Sequence, residues 1–154
     1  MQINLSNKER MLLEDQIKHE LICIEKYSNY ANLASDPQLK QIFQANEASE
    51  RSHLDSINQL LSGTLPQMNQ QQQNQQAQSG LTNTPATSLN ISDKDLCEDL
   101  LMTEKYVSGT YDTAIFECKD TNVRDTLNHI QKEEQKHGEA IFQYMNSKGM
   151  YGAQ

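Results

Sequence analysis

The chain has 154 residues, with 13 Lys plus Arg against 21 Asp plus Glu and a formal net charge of −8. That length suits one domain around one core and excludes a TIM barrel or a two-domain dehydrogenase, which need more chain. The acidic balance argues against a nucleic-acid partner, and no apolar run approaches the roughly 20 residues of a membrane helix. The N-terminal MQINLSNKER has no hydrophobic signal region, so the expectation is synthesis inside a cell. Cys23, Cys97 and Cys118 form no CxxC pair. An odd count without that spacing reads as small core residues in a reducing compartment rather than a disulfide framework.

Four long helices are predicted, and no strand-like alternation competes with them. Asn7 or Ser6 caps a first helix that runs to about Ala34. Asp36 followed by Pro37 is an N-cap with proline at the first helical position. This second helix runs to about Gly63, a natural C-terminal stop. Ser92 opens a third, with Asp93 and Asp95 in its first turn, where negative charge suits the helix dipole. It ends near Lys119. Asp120 or Thr121 caps a fourth, which ends before Gly149. Residues 64–91, with the Gln-rich run Gln67–Gln78, have a composition that buries little. Too long for a simple turn, this stretch reads as a crossover between two helical hairpins within a single domain spanning 1–154.

Core positions follow alternating steps of three and four. The first helix gives Leu13, Ile17, Glu20, Ile24, Tyr27 and Ala31. The second gives Leu39, Phe43, Asn46, Glu50, His53, Ile57 and Leu60. The fourth gives Val123, Leu127, Ile130, Glu134, His137, Ile141 and Tyr144. Each stripe is apolar at both ends and ionisable in the middle. Stability alone does not call for that pattern, because a buried carboxylate must be protonated, paired or bound to a cation. On the third helix two stripes compete: Leu96, Leu100, Thr103 and Val107 against Asp99, Thr103, Tyr106 and Thr110.

Glu50-x-x-His53 and Glu134-x-x-His137 are the sharpest motifs. Residues three apart share a helix face, so a carboxylate and an imidazole can meet one ion. Only four histidines occur in the chain, and two of them carry this spacing; His19 and His129 fall off the stripes. The two hairpins also look alike. Glu20-Leu-Ile-Cys-Ile-Glu25-Lys-Tyr27 parallels Asp99-Leu-Leu-Met-Thr-Glu104-Lys-Tyr106, with five extra residues before the second turn. On that alignment Glu20, Glu50, His53, Asp99, Glu134 and His137 converge, and four carboxylates balance two divalent cations. Tyr27 and Tyr106 would orient the ligands. Glu25 and Glu104 also repeat, off the preferred stripe. They either pair with lysines across a helix surface or replace Glu20 and Asp99 in a shifted register.

This ligand pattern resembles the ferritin-like di-iron and di-manganese carboxylate proteins, in which two helices give one Glu each and two give Glu-x-x-His. Bacterioferritin and rubrerythrin look similar in these parts, including an acid followed seven residues later by Tyr. The third-helix acid departs from the usual Glu, since Asp99 is one methylene shorter. The stretches LLEDQIKHELICIEKYSNYA, NEASERSHLDSINQLL, DLLMTEKYVSGTYDTAI and EEQKHGEAIFQYM resemble the spore coat protein F family more closely. That resemblance implies an all-α, ferritin-like four-helix bundle in the spore coat, with a structural or assembly role among other coat proteins, as a monomer or homodimer. The wider resemblance implies a dinuclear Fe or Mn site and, as the alternative function, a small oxidoreductase acting on dioxygen or peroxide.

Overall fold

The computed structural model describes residues 2–67 and 91–152. These form four helices: α1 (Asn7–Leu33), α2 (Pro37–Leu61), α3 (Asp93–Glu117) and α4 (Thr121–Ser147). Among the described residues none is long and apolar enough to cross a membrane. At about 1.5 Å per residue each helix is about 40 Å long. The caps are those the sequence signals. Ser6 and Ser92 each close a capping box, with Glu9 and Asp95 respectively, and Asp36 and Asp120 accept from the backbone two residues on. Gly63 ends α2 at φ +86°. Its N–H reaches Leu60 and that of Thr64 reaches Gln59, a Schellman stop that only glycine enters without strain.

α1 packs on α2, α3 packs on α4, and the two hairpins meet through α1–α3 and α2–α4 contacts. Pairings run antiparallel: Glu9 accepts from the Lys119 N–H at one end, and Asp93 accepts from the N–H groups of Ser35 and Asp36 at the other. Each hairpin's turn is thus tied down by an acid at the start of the opposite hairpin. α2 therefore ends at one end of the bundle and α3 begins at the other, as a crossover requires. Most of the expected crossover, residues 68–90, lies outside the described residues.

The core has two apolar clusters. Leu13, Ile57, Leu60, Val107, Tyr111, Val123, Leu127 and Ile130 fill one end. Tyr27, Leu39, Phe43, Leu96, Leu100, Ile141 and Tyr144 fill the other. Burying each large side chain stabilises the fold by roughly 1.5–3 kcal/mol, which offsets the cost of an ionisable layer between them. All seven expected core positions of α2 and all seven of α4 are buried. On α1, Ile17 is only half-buried, while Glu9, Gln16 and Cys23 join the core. The three cysteines are free and buried. Burial raises all three thiols, Cys97 to about 12 and Cys118 to about 11.

Candidate metal centre

The ionisable layer sits at mid-height, where one turn from each helix faces inward. α1 supplies Glu20, α2 Glu50 and His53, α3 Glu104, and α4 Glu134 and His137. All six are buried, none more than 4 % exposed. Their ligand-type atoms form two overlapping groups: Glu20, Glu50, His53 and Glu134 in one, and Glu50, Glu104, Glu134 and His137 in the other. Within each group the atoms lie within 4.8 Å of one another. Glu50 and Glu134 belong to both.

The geometry converges on the two Nδ1 atoms. His53 Nδ1 is 3.0 Å from Glu50 Oε2, 3.3 Å from Glu134 Oε1 and 3.9 Å from Glu20 Oε2. His137 Nδ1 is 3.2 Å from Glu50 Oε1, 3.2 Å from Glu134 Oε2 and 3.4 Å from Glu104 Oε1. The imidazole rings stack with centroids 5.6 Å apart. Tyrosines cross between the hairpins: Tyr27 on α1 donates to Glu104 on α3, and Tyr111 on α3 donates to Glu20 on α1. Each fixes the acid that only one group uses.

Five of the six sequence-expected ligands are brought together; Asp99 is not. It lies on the outer α1–α3 seam, where its carboxylate meets Lys26 Nζ at 3.0 Å and accepts from Tyr30 Oη at 2.7 Å. Glu104 occupies the inward position in its place. Five residues along a helix is about 140° around it, so the two acids cannot share a face. Tyr27 lies beside the centre as expected. Tyr106 does not: it is 65 % exposed and meets the His19 ring edge-on, while Tyr111 takes the inner position. The supposed five extra residues are absent. Glu20 and Glu104, Tyr27 and Tyr111, Asp36 and Asp120, Glu50 and Glu134, and His53 and His137 are all 84 positions apart. The shared tripeptide Glu-Lys-Tyr (25–27 and 104–106) had suggested a different offset. An acid followed seven residues later by Tyr, at the offset set by the Glu-x-x-His motifs, was the signal that finds Glu104 and Tyr111.

Without a cation the layer must hold protons. Burial, and then the neighbouring Glu50 and Glu134 carboxylates, push Glu20 well above the usual carboxylate range. Burial also pushes Glu104 well above it, against the pull of His137. Burial opposes charge on Glu50 and Glu134 as well, but hydrogen bonds from His137 and His53 outweigh it and hold both low. Burial disfavours charged imidazoles, yet the carboxylates raise His53 to about 8 and His137 to about 12. Two carboxylates and two imidazolium ions then cancel, with two neutral carboxyls beside them.

That charge balance leaves polar atoms stranded. Among the described residues Glu20 Oε2, Glu104 Oε2 and His137 Nε2 are buried with no hydrogen-bond partner, and the two Glu134 oxygens meet only the imidazoles, at 3.3 and 3.2 Å. Hydrogen-bond neutrality at a buried centre is normally near complete, because each unsatisfied group costs about 1–3 kcal/mol. Oxygen and imidazole donors converging from four helices suit Fe, Mn or Zn. The residues therefore fit a pair of divalent cations, with Glu50 and Glu134 common to both.

Fold and site define a class: an all-α four-helix bundle of two hairpins with a buried Glu/His layer at mid-height. Residues 92–154 match the family model described as the Coat F domain, which supports the spore coat protein F family. The match spans α3 and α4 and so includes Glu104, Glu134 and His137. No curated protein and no solved structure matches the chain.

Proposed function

We propose that this is a structural or assembly protein of the spore coat whose bundle holds a dinuclear metal centre at its core. Glu20 and His53 would hold one cation and Glu104 and His137 the other, with Glu50 and Glu134 available to both. The observation that carries the metal reading is the pair of buried ligand groups sharing two carboxylates. The Coat F match supports the coat role. Association with other coat proteins, as a monomer or homodimer, belongs to the same proposal. The test is elemental analysis of protein purified without chelators and again after reconstitution, alongside His53→Ala and His137→Ala. About two metal ions per chain in the wild type, and fewer in both variants, is expected from two ligand sets. No metal in either preparation refutes the reading.

A second reading, a small di-iron or di-manganese oxidoreductase, is favoured by the two carboxylates, Glu50 and Glu134, common to both ligand groups. Fe or Mn would supply the electrons for reducing dioxygen or peroxide when bound. The chain's own part would be to hold the cations, exclude water with the flanking apolar clusters and move protons through the carboxyls. Peroxide consumption by the metal-loaded protein, lost in Glu50→Ala, tests it; metal-loaded protein inert toward both oxidants refutes it.

A further inference from the structure

The outward face of α3 carries large apolar side chains that no described residue covers. Met102, Tyr106, Gly109, Thr113 and Phe116 follow steps of four and three, so they form one stripe along the helix. Met102 and Tyr106 are each 65 % exposed and Phe116 is 82 % exposed. α2 presents no comparable side chain to solvent. Beside the stripe, toward α4, a groove of about 460 Å³ opens among Leu101, Met102, Lys105, Met145, Met150 and Tyr151. Tyr151 is set edge-on against Phe142, with ring centroids 4.8 Å apart. A space with three thioethers on its walls suits an aromatic ring, because sulfur packs well against ring edges.

Phe116 does not reach this groove in its own chain, since it lies 14 residues beyond Met102, about 21 Å along the helix. In a second copy it does. When two α3 helices pack antiparallel about a two-fold axis at Gly109, residue 116 of each faces residue 102 of the other, because both stand seven positions from the axis. Such an axis also keeps the α4 side of one copy against the α4 side of the other. The axis falls where the helix is barest: a Cβ at Gly109 would meet nothing within 4 Å, so two backbones can approach closely there. Charge is complementary too. Lys105 and Asp112 are both exposed and form no salt bridge among the described residues, and the same axis sets Lys105 of each copy beside Asp112 of the other. Tyr106 and Phe116 are worth roughly 150–250 Å² each when covered. With the methionines, and with every contact made twice, the buried area reaches about 1,000 Å², as a specific interface requires.

We propose that this face joins two copies of the chain, with α3 antiparallel to its counterpart and Phe116 of each copy seated in the methionine-lined groove of the other. The proposal gives a surface to the homodimer of the reading above and involves no metal, so metal content measured on the same samples separates the two. The test is sedimentation of the full chain across a concentration series. The wild type should be a dimer at micromolar concentration. Phe116→Glu should raise the dissociation constant at least about tenfold, as loss of a central aromatic anchor does, and should keep the wild-type metal content. Lys105→Glu and Asp112→Lys should each weaken the dimer several-fold by setting like charges together, and the two combined should restore it, because the pair is then reversed at both places. A monomeric wild type, which would leave the face to residues 68–90 or to another protein, overturns the proposal. So does a dimer that Phe116→Glu leaves intact, or a double charge reversal that stays as weak as the single ones.

Discussion

Glu104→Gln compared with Asp99→Asn discriminates between the two registers of α3. Both substitutions remove a charge and keep the shape. Glu104 already holds a proton in the metal-free state, since burial raises it well above the usual range. Its Gln replacement is therefore neutral for neutral, and the amide oxygen still accepts from Tyr27. The metal-free stability should fall by less than about 1 kcal/mol. With metal the effect is large: the group of Glu50, Glu104, Glu134 and His137 loses one of four ligands, and the other group keeps all of its own. Metal content should drop from about two to about one ion per chain, because losing a charged ligand cripples one site only. Asp99→Asn should leave metal content unchanged. Its carboxylate is 34 % exposed beside Lys26, so solvent screening limits the loss of that pair to about 1 kcal/mol or less, a Tm shift of a few degrees. Elemental analysis and chelated thermal melts read both quantities. Loss of metal from Asp99→Asn, with Glu104→Gln fully loaded, refutes the assignment of Glu104.

Tyr111→Phe should lower metal affinity about tenfold or more, because it frees Glu20 from the hydroxyl that orients it; Tyr106→Ala, at an exposed site, should move neither affinity nor Tm appreciably, and isothermal titration checks both. Metal uptake should release protons and tighten as pH rises, since the two imidazoles and the Glu20 and Glu104 carboxyls must give them up; titrations in buffers of different ionisation enthalpy count them. Burial works against charge on Glu9, but the Lys119 and Ser6 backbone N–H groups outweigh it and hold its carboxyl below the ordinary 4.5. Its contribution is therefore present above about pH 4.5 and lost as pH falls through the lowered value. Glu9→Gln should destabilise the chain at pH 7 by about 1–3 kcal/mol, since one of its two acceptor oxygens is gone, and the difference should shrink in urea melts run toward pH 3.

The four helices were legible residue by residue because their signals are local. Ser6, Asp36, Ser92 and Asp120 cap the helices they precede through hydrogen bonds spanning two or three residues. The apolar stripes of α2 and α4 alternate without a competitor, so Glu50, His53, Glu134 and His137 face inward by helical period alone. Gly63 marks a stop because the positive φ it adopts suits no side chain well.

The inward face of α3 was a different matter. Leu96, Leu100 and Val107 define it once α3 is packed, but Asp99, Thr103, Tyr106 and Thr110 have the same spacing, and composition does not separate the two. What decides is contact across hairpins. Tyr27 on α1 and His137 on α4 both reach Glu104, while Lys26 and Tyr30, on the outer side of α1, hold Asp99 at the surface. Glu9 and Gln16 are buried for the same kind of reason: their partners, Lys119 and Thr110, are more than ninety residues away in the chain. The sequence by itself determined where each helix starts and stops and which face of α2 and α4 carries the ligands, since those depend on neighbours within one or two turns. Only the tertiary structure decided which acid of α3 completes the layer and which tyrosine orients each outer acid, since those depend on what the opposite hairpin presents.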